Sequence, residues 1–166
     1  HGCFSCHGNN GINPNPAGPN LAGQSASYIA GQLWNFQSGR RNGTAMPFIV
    51  ASLTDREIRD VASFFAGVPC DPDAYPQAAA QSIAKGKKVA QRCTACHDLK
   101  AYGVDEATNY IPALAGQHKD YLVGQLQSFR NLERRVEAMN SVARNLSETE
   151  MEDVASYLSS LACRVR

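Results

Sequence analysis

Four cysteines and two histidines stand in two copies of one pentapeptide, Cys3-Phe4-Ser5-Cys6-His7 and Cys93-Thr94-Ala95-Cys96-His97. In Cys-x-x-Cys-His the two thiols can form thioether bonds to the two vinyl groups of a porphyrin, and the adjoining histidine then sits beneath the iron as proximal ligand. The same residue types could also build a structural zinc site or a disulfide, readings that a single copy leaves open. Two copies in register favour covalent attachment of two haem c groups, with iron held by His7 and His97.

The register extends over most of the chain. Leu114 and Leu21, Gly116 and Gly23, Gln117 and Gln24, Tyr121 and Tyr28, Gln125 and Gln32, and Phe129 and Phe36 all differ by 93 positions. The haem cysteines differ by 90 (Cys93 against Cys3), so the second copy carries three extra residues before Pro112. A self-similarity of this length marks two duplicated small domains, because solenoid units run to roughly 20 to 50 residues. Units this small bury little surface from side chains alone, and a large apolar macrocycle in each would supply much of the missing core.

The sixth iron ligand is sought among only three methionines. Met46 and Met139 again differ by 93, as a distal thioether ligand in each domain requires and as random core packing does not. Met151 is expected to pack on a helix face. Histidine is the competing ligand type, but neither His1 nor His118 is duplicated, and His118 suits a polar helix start. Met/His ligation favours a relatively high reduction potential and leaves no open coordination site. Such sites suit electron transfer better than substrate chemistry.

The elements that must position these ligands read as all-α. Apolar spacing predicts helices over Ser25 to Gln37 and over its copy, His118 to Arg130, and another over Ser82 to Arg92 ahead of the second motif. Capping boxes at Thr54-Asp55-Arg56-Glu57 and Ser147-Glu148-Thr149-Glu150 open one further helix in each half. The stretch from Gly8 to Gly23, with Pro14, Pro16 and Pro19, reads as a loop along a haem edge. Pro69, Pro72 and Pro76 mark an extended connector. The domains are therefore placed at 1–68 and 81–166, with a linker at 69–80.

Hydrophobic residues make up 43% and charged residues 19% of the chain, and no apolar stretch approaches the roughly 20 residues of a membrane span. A formal net charge of +1 gives no basis for nucleic-acid binding. Covalent haem attachment of this kind is expected outside the bacterial cytoplasmic membrane, so a periplasmic location and a removed signal peptide are expected. The first motif begins only two residues into the chain, and a helix of roughly ten or more residues, equivalent to Ser82 to Arg92, is expected before His1.

These motifs together resemble the dihaem cytochrome c4 family, a tandem duplication of two cytochrome c-like domains each wrapped around a covalent haem. The resemblance spans both halves. Besides the haem motifs it rests on Gly18-Pro19-Asn20-Leu21-Ala22-Gly23-Gln24, Tyr28-Ile29-x-x-Gln32-Leu33-x-x-Phe36, Gly39-Arg40-Arg41 and Met46-Pro47 in the first half. In the second it rests on Pro112-Ala113-Leu114-Ala115-Gly116-Gln117, Tyr121-Leu122-x-x-Gln125-Leu126-x-x-Phe129 and Met139.

The resemblance implies that the carbonyls of Pro19 and Pro112 accept a hydrogen bond from the proximal histidines. It also implies domains related by an approximate two-fold axis with the haems close at their interface. Arg40, Arg41, Arg134 and Arg135 either reach haem propionates or are solvated. Departures are Asn140 where the first half has Pro47, and the pair Cys70 and Cys163, again 93 apart. In an oxidising compartment these two form a disulfide if the domain ends meet near the axis; otherwise they are two buried thiols.

The preferred functional expectation is an electron carrier, free or peripherally associated with a membrane. It would pass electrons from a quinol-oxidising complex or dehydrogenase to a terminal oxidase. The alternative is a dihaem electron-transfer subunit of a dehydrogenase acting on sulfur compounds or alcohols. A catalytic chain would need an exchangeable iron site and a repeated histidine, acid and arginine set, and no catalytic residue is expected.

Overall fold

The computed structural model describes residues 2–13, 15, 18–70, 80–97 and 110–163. His1, most of the 69–80 linker and the stretch between His97 and Tyr110 lie outside them. The elements are α1 (Phe4–His7), α2 (Ala26–Gln37), α3 (Met46–Val50), α4 (Asp55–Gly67), α5 (Ala80–Ala90), α6 (Lys119–Arg130), α7 (Glu137–Arg144) and α8 (Glu148–Ser160). Among the described residues there is no strand, only an isolated antiparallel bridge between Arg41 and Arg134. The fold is all-α.

The second half repeats the first, with α6, α7 and α8 standing where α2, α3 and α4 stand. Local chemistry sets the starts of the long helices. The Ser25 side chain accepts from the Tyr28 N–H to open α2, and complete capping boxes at Thr54/Glu57 and Ser147/Glu150 open α4 and α8. His118 precedes α6 without a side-chain cap bond, and its ring Nε2 donates to the Asn13 carbonyl at 2.8 Å.

Packing follows the apolar stripes. In the first half Ile29, Leu33 and Phe36 of α2 meet Ile58, Ala62 and Phe65 of α4, with Val50 and Leu53 between them. Phe65 and Ile58 are among the fully buried side chains, each contributing about 1.5–3 kcal/mol by removal from water. In the second half Ala90 of α5 joins Leu122, Val123, Val154, Ala155 and Leu158, while Phe129, Ala143, Leu146 and Met151 form a neighbouring cluster. Helices α5 and α8 cross at Gly86, where an added Cβ would lie 2.0 Å from the Asp153 carbonyl oxygen.

The halves meet about an approximate two-fold axis. The Asn42 N–H donates to the Glu133 carbonyl (3.1 Å) and the Arg135 N–H to the Arg40 carbonyl (3.4 Å). At the far end Cys70 and Cys163 form a disulfide with Cα atoms 6.2 Å apart, packed with Ala22. Such a bond between repeat-equivalent positions requires both ends to lie beside the axis.

Candidate functional site

Each pentapeptide is wound as a helical turn, with the His7 N–H donating to the Cys3 carbonyl (3.0 Å) and the His97 N–H to the Cys93 carbonyl (2.8 Å). The winding keeps the second cysteine and the histidine one residue apart while the first cysteine lies a turn below. Cys3, Cys6, Cys93 and Cys96 take no part in a disulfide. Burial pushes the Cys93 thiol up, against the nearby Arg92 charge.

The histidines are fixed alike. His7 Nδ1 donates to the Pro19 carbonyl at 3.0 Å, and His97 Nδ1 donates to the Pro112 carbonyl at 2.9 Å. A carbonyl can only accept, so Nδ1 carries the proton and Nε2 keeps the lone pair. Burial holds the His7 pKa below its ordinary value, with the Pro19 bond opposing it. For His97 burial again dominates, opposed by the Pro112 bond and assisted by the positive charge of Arg134. A buried, neutral, oriented imidazole is the form that ligates iron.

The Pro19 segment is itself held by the glycine-rich loop before it. The Leu21 and Ala22 N–H groups both donate to the Gly11 carbonyl (2.7 and 3.1 Å). Gly11 has φ +72°, and a Cβ there would press within 2.8 Å of the Phe65 ring.

Met46 opens α3 and packs against the first core, and Met139, within α7, packs against the second-half cluster around Phe129. Met151 is fully buried on α8. Helix α7 carries a device that the sequence reading missed. Asn140, in the place of Pro47, is buried and donates from Nδ2 to the Phe129 and Arg134 carbonyls (2.6 and 2.8 Å) while accepting from the Val136 N–H (2.9 Å). One side chain thereby ties the Met139 helix to the turn after α6.

The four arginines divide. Arg40 and Arg135 are exposed, whereas Arg41 and Arg134 are only 7% and 6% exposed. Each buried guanidinium spans the halves: Arg41 donates to Gln32 of its own half (2.9 Å) and to Tyr121 and Gln125 of the other (2.8 and 2.7 Å). Arg134 donates to Gln125 (2.8 Å) and across to Tyr28 and Gln32 (2.6 and 2.8 Å). They stack 4.5 Å from the rings of Phe36 and Phe129. Among the described residues Arg134 Nε is buried and meets no hydrogen-bond partner, an unmet donor of the kind a haem propionate would satisfy. These roles for Tyr28, Gln32, Tyr121 and Gln125 escaped the sequence reading, although their shared 93-residue offset was a signal for them.

Paired thiols, neutral histidines with Nε2 available and a buried cation with an unmet donor fit two covalent haems. The family profile described as "Cytochrome c" matches residues 83–162, and that described as "Cytochrome C oxidase, cbb3-type, subunit III" matches residues 1–65. A cytochrome c4 of Pseudomonas aeruginosa is 33% identical, the alignment covering 96% of this chain and 83% of that one. The chain belongs to the cytochrome c4 family. A protein named thiosulfate dehydrogenase electron acceptor, from Stutzerimonas stutzeri, is likewise 33% identical over 96% of this chain and 78% of its own length. The crystal structure of reduced cytochrome c4 from Pseudomonas stutzeri superposes with a TM-score of 0.85 at 29% identity, over 96% of this chain and 93% of that one. As a member of this family the chain is a dihaem electron-transfer cytochrome carrying two covalently bound haem c groups. Among the described residues no helix is long and apolar enough to cross a membrane.

Proposed function

We propose that Cys3, Cys6, His7 and Met46 hold one haem and Cys93, Cys96, His97 and Met139 the other, in domains spanning 1–68 and 81–166 joined by 69–80. The observation that carries this reading is the repeated bond from each histidine Nδ1 to a proline carbonyl. When bound, each haem iron exchanges one electron between its ferric and ferrous states. The chain's own part is to keep both imidazoles neutral and oriented. Arg41 and Arg134 supply buried positive charge at the junction of the halves, suited to the propionates.

On this reading the protein works in the bacterial periplasm, free or peripherally attached to the membrane. It takes electrons from a quinol-oxidising complex or a dehydrogenase and delivers them to a terminal oxidase. A second reading, as the dihaem acceptor of a sulfur-compound dehydrogenase, is favoured by the relatives named thiosulfate dehydrogenase electron acceptor. Reduction of the purified holoprotein by a quinol-oxidising membrane complex, compared with reduction by a thiosulfate dehydrogenase plus thiosulfate, separates the two.

The ligand set has its own test in the far-red methionine-to-iron absorption of the ferric protein. Met46→Ala and Met139→Ala should each abolish about half of that band. An unchanged band in both variants would refute the assignment.

A further inference from the structure

The peptide group that orients each histidine is gripped from the other half of the molecule. Pro19 offers its carbonyl to His7, and the N–H of the same peptide unit, on Asn20, donates to Gln117 Oε1 at 2.9 Å. Gln117 Nε2 returns a bond to the Asn20 carbonyl at 3.0 Å. The mirror arrangement is present: the Ala113 N–H, in one peptide unit with the Pro112 carbonyl, donates to Gln24 Oε1, and Gln24 Nε2 donates to the Ala113 carbonyl, both at 3.0 Å. Each glutamine is pinned further by the N–H of the residue after it, Ser25 or His118 (3.0 Å each). Both are buried, at 7% and 8% exposure.

Hydrogen bonds in series polarise one another. An N–H that donates pushes electron density onto the carbonyl of its own peptide unit, and each link is strengthened by roughly 10–30%. A stronger acceptor at Pro19 draws harder on the His7 Nδ1–H and makes Nε2 a better donor to iron, which favours the ferric state. The influence crosses the interface: Gln117 acts on His7, and Gln24 acts on His97.

We propose that Gln24 and Gln117 are crossed positioning residues, each setting the reduction potential of the haem in the opposite half through the peptide that holds its histidine. The proposal rests on His7 and His97 being the haem ligands. The two sites are unequal. The Asn20 side chain adds a bond from Nδ2 to the Gly116 carbonyl (3.1 Å) and accepts from the Asn13 N–H (2.8 Å), anchors that Ala113 lacks the side chain to make. The peptide at Pro112 therefore depends more heavily on its glutamine.

The test compares Gln117→Met and Gln24→Met holoproteins, each read by the histidine Nδ1–H resonances of the ferrous, ¹⁵N-histidine-labelled protein and by spectroelectrochemical titration. Gln117→Met should move the His7 Nδ1–H signal upfield and lower the ferric-to-ferrous ratio of the first haem roughly threefold at fixed potential. That is a rise of about 28 mV at 59 mV per tenfold. Gln24→Met should do the same at His97, by more. Gln117→Glu and Gln24→Glu, which offer the N–H a stronger, charged acceptor, should move the same signal downfield and lower the potential of the opposite haem, and they carry the test if a methionine variant fails to fold.

Both haems moving together, or the haem of the mutated half moving, would overturn the proposal. So would unmoved resonances. If neither Nδ1–H signal carries a haem ring-current shift in the unmutated protein, it is the ligand assignment that fails instead.

Discussion

Gly86→Ala is expected to loosen the second half and leave the first untouched. The added methyl carbon would lie 2.0 Å from the Asp153 carbonyl oxygen and 2.7 Å from the Tyr157 Cβ, and backbone on both sides prevents a simple side-chain rotation. Restoring ordinary contact moves α5 off α8 by roughly 1 Å, which forfeits about half of each ~0.15 kcal/mol atom-pair well. Over roughly 40 pairs that is about 3 kcal/mol. Alanine returns about 1 kcal/mol through its better helix propensity, leaving a net loss of about 2 kcal/mol. In guanidinium titrations of the ferric holoprotein, with a slope of about 3 kcal/mol/M, the midpoint of the second half should fall by about 0.7 M. Gly67→Ala is the control, because its added carbon meets nothing within 4 Å. An unchanged or raised midpoint for Gly86→Ala would refute the close crossing of α5 and α8.

The capping boxes give a pH signature. The Thr54 backbone N–H, and after it the Thr54 hydroxyl, hold the Glu57 pKa below its ordinary value, and the Ser147 backbone N–H leads the same effect at Glu150, with Arg92 assisting. Because the folded pKa values are depressed, this stabilisation is complete above about pH 4.3 and is lost as pH falls through the folded pKa. Glu57→Gln with Glu150→Gln should therefore flatten the melting temperature against pH in the acid range, and an unaltered acid slope would refute it. Replacing Cys70 and Cys163 together by alanine should lower stability by roughly 2–5 kcal/mol in thermal unfolding of the holoprotein. If thiol counting under denaturing, non-reducing conditions finds two reactive groups in the unmutated protein, the bridge is refuted.

What was legible in the chain was local. The stripe of Ile29, Leu33 and Phe36 and the two capping boxes act within a few residues, so they announce α2, α4 and α8 wherever the rest of the chain goes. Helices α3 and α7 were not read. The first is a single turn begun around Pro47, and the second depends on Asn140 reaching carbonyls of the preceding turn. Leu132 adopts φ 62° where its counterpart Gly39 has φ 70°, a repeat of shape that residue type conceals. Arg41 and Arg134 could be read equally as solvated or as propionate partners, because what buries them comes from the other half. The glutamines were noticed as resemblance and given no role, since nothing within either half shows what they hold.

The contacts between the halves have the form of an isologous association: residue i of one half meets residue j of the other, and j of the first meets i of the second, at Arg41/Tyr121 and Arg134/Tyr28 as at Gln24/Ala113 and Gln117/Asn20. Even the disulfide joins one position to its own counterpart. A one-domain ancestor carrying these residues would already have been a symmetric homodimer cross-linked on its axis. Fusion into one chain kept those reciprocal contacts. It freed the two sides to diverge, and substitutions such as Asn20 opposite Ala113 could make two formerly identical redox centres unequal.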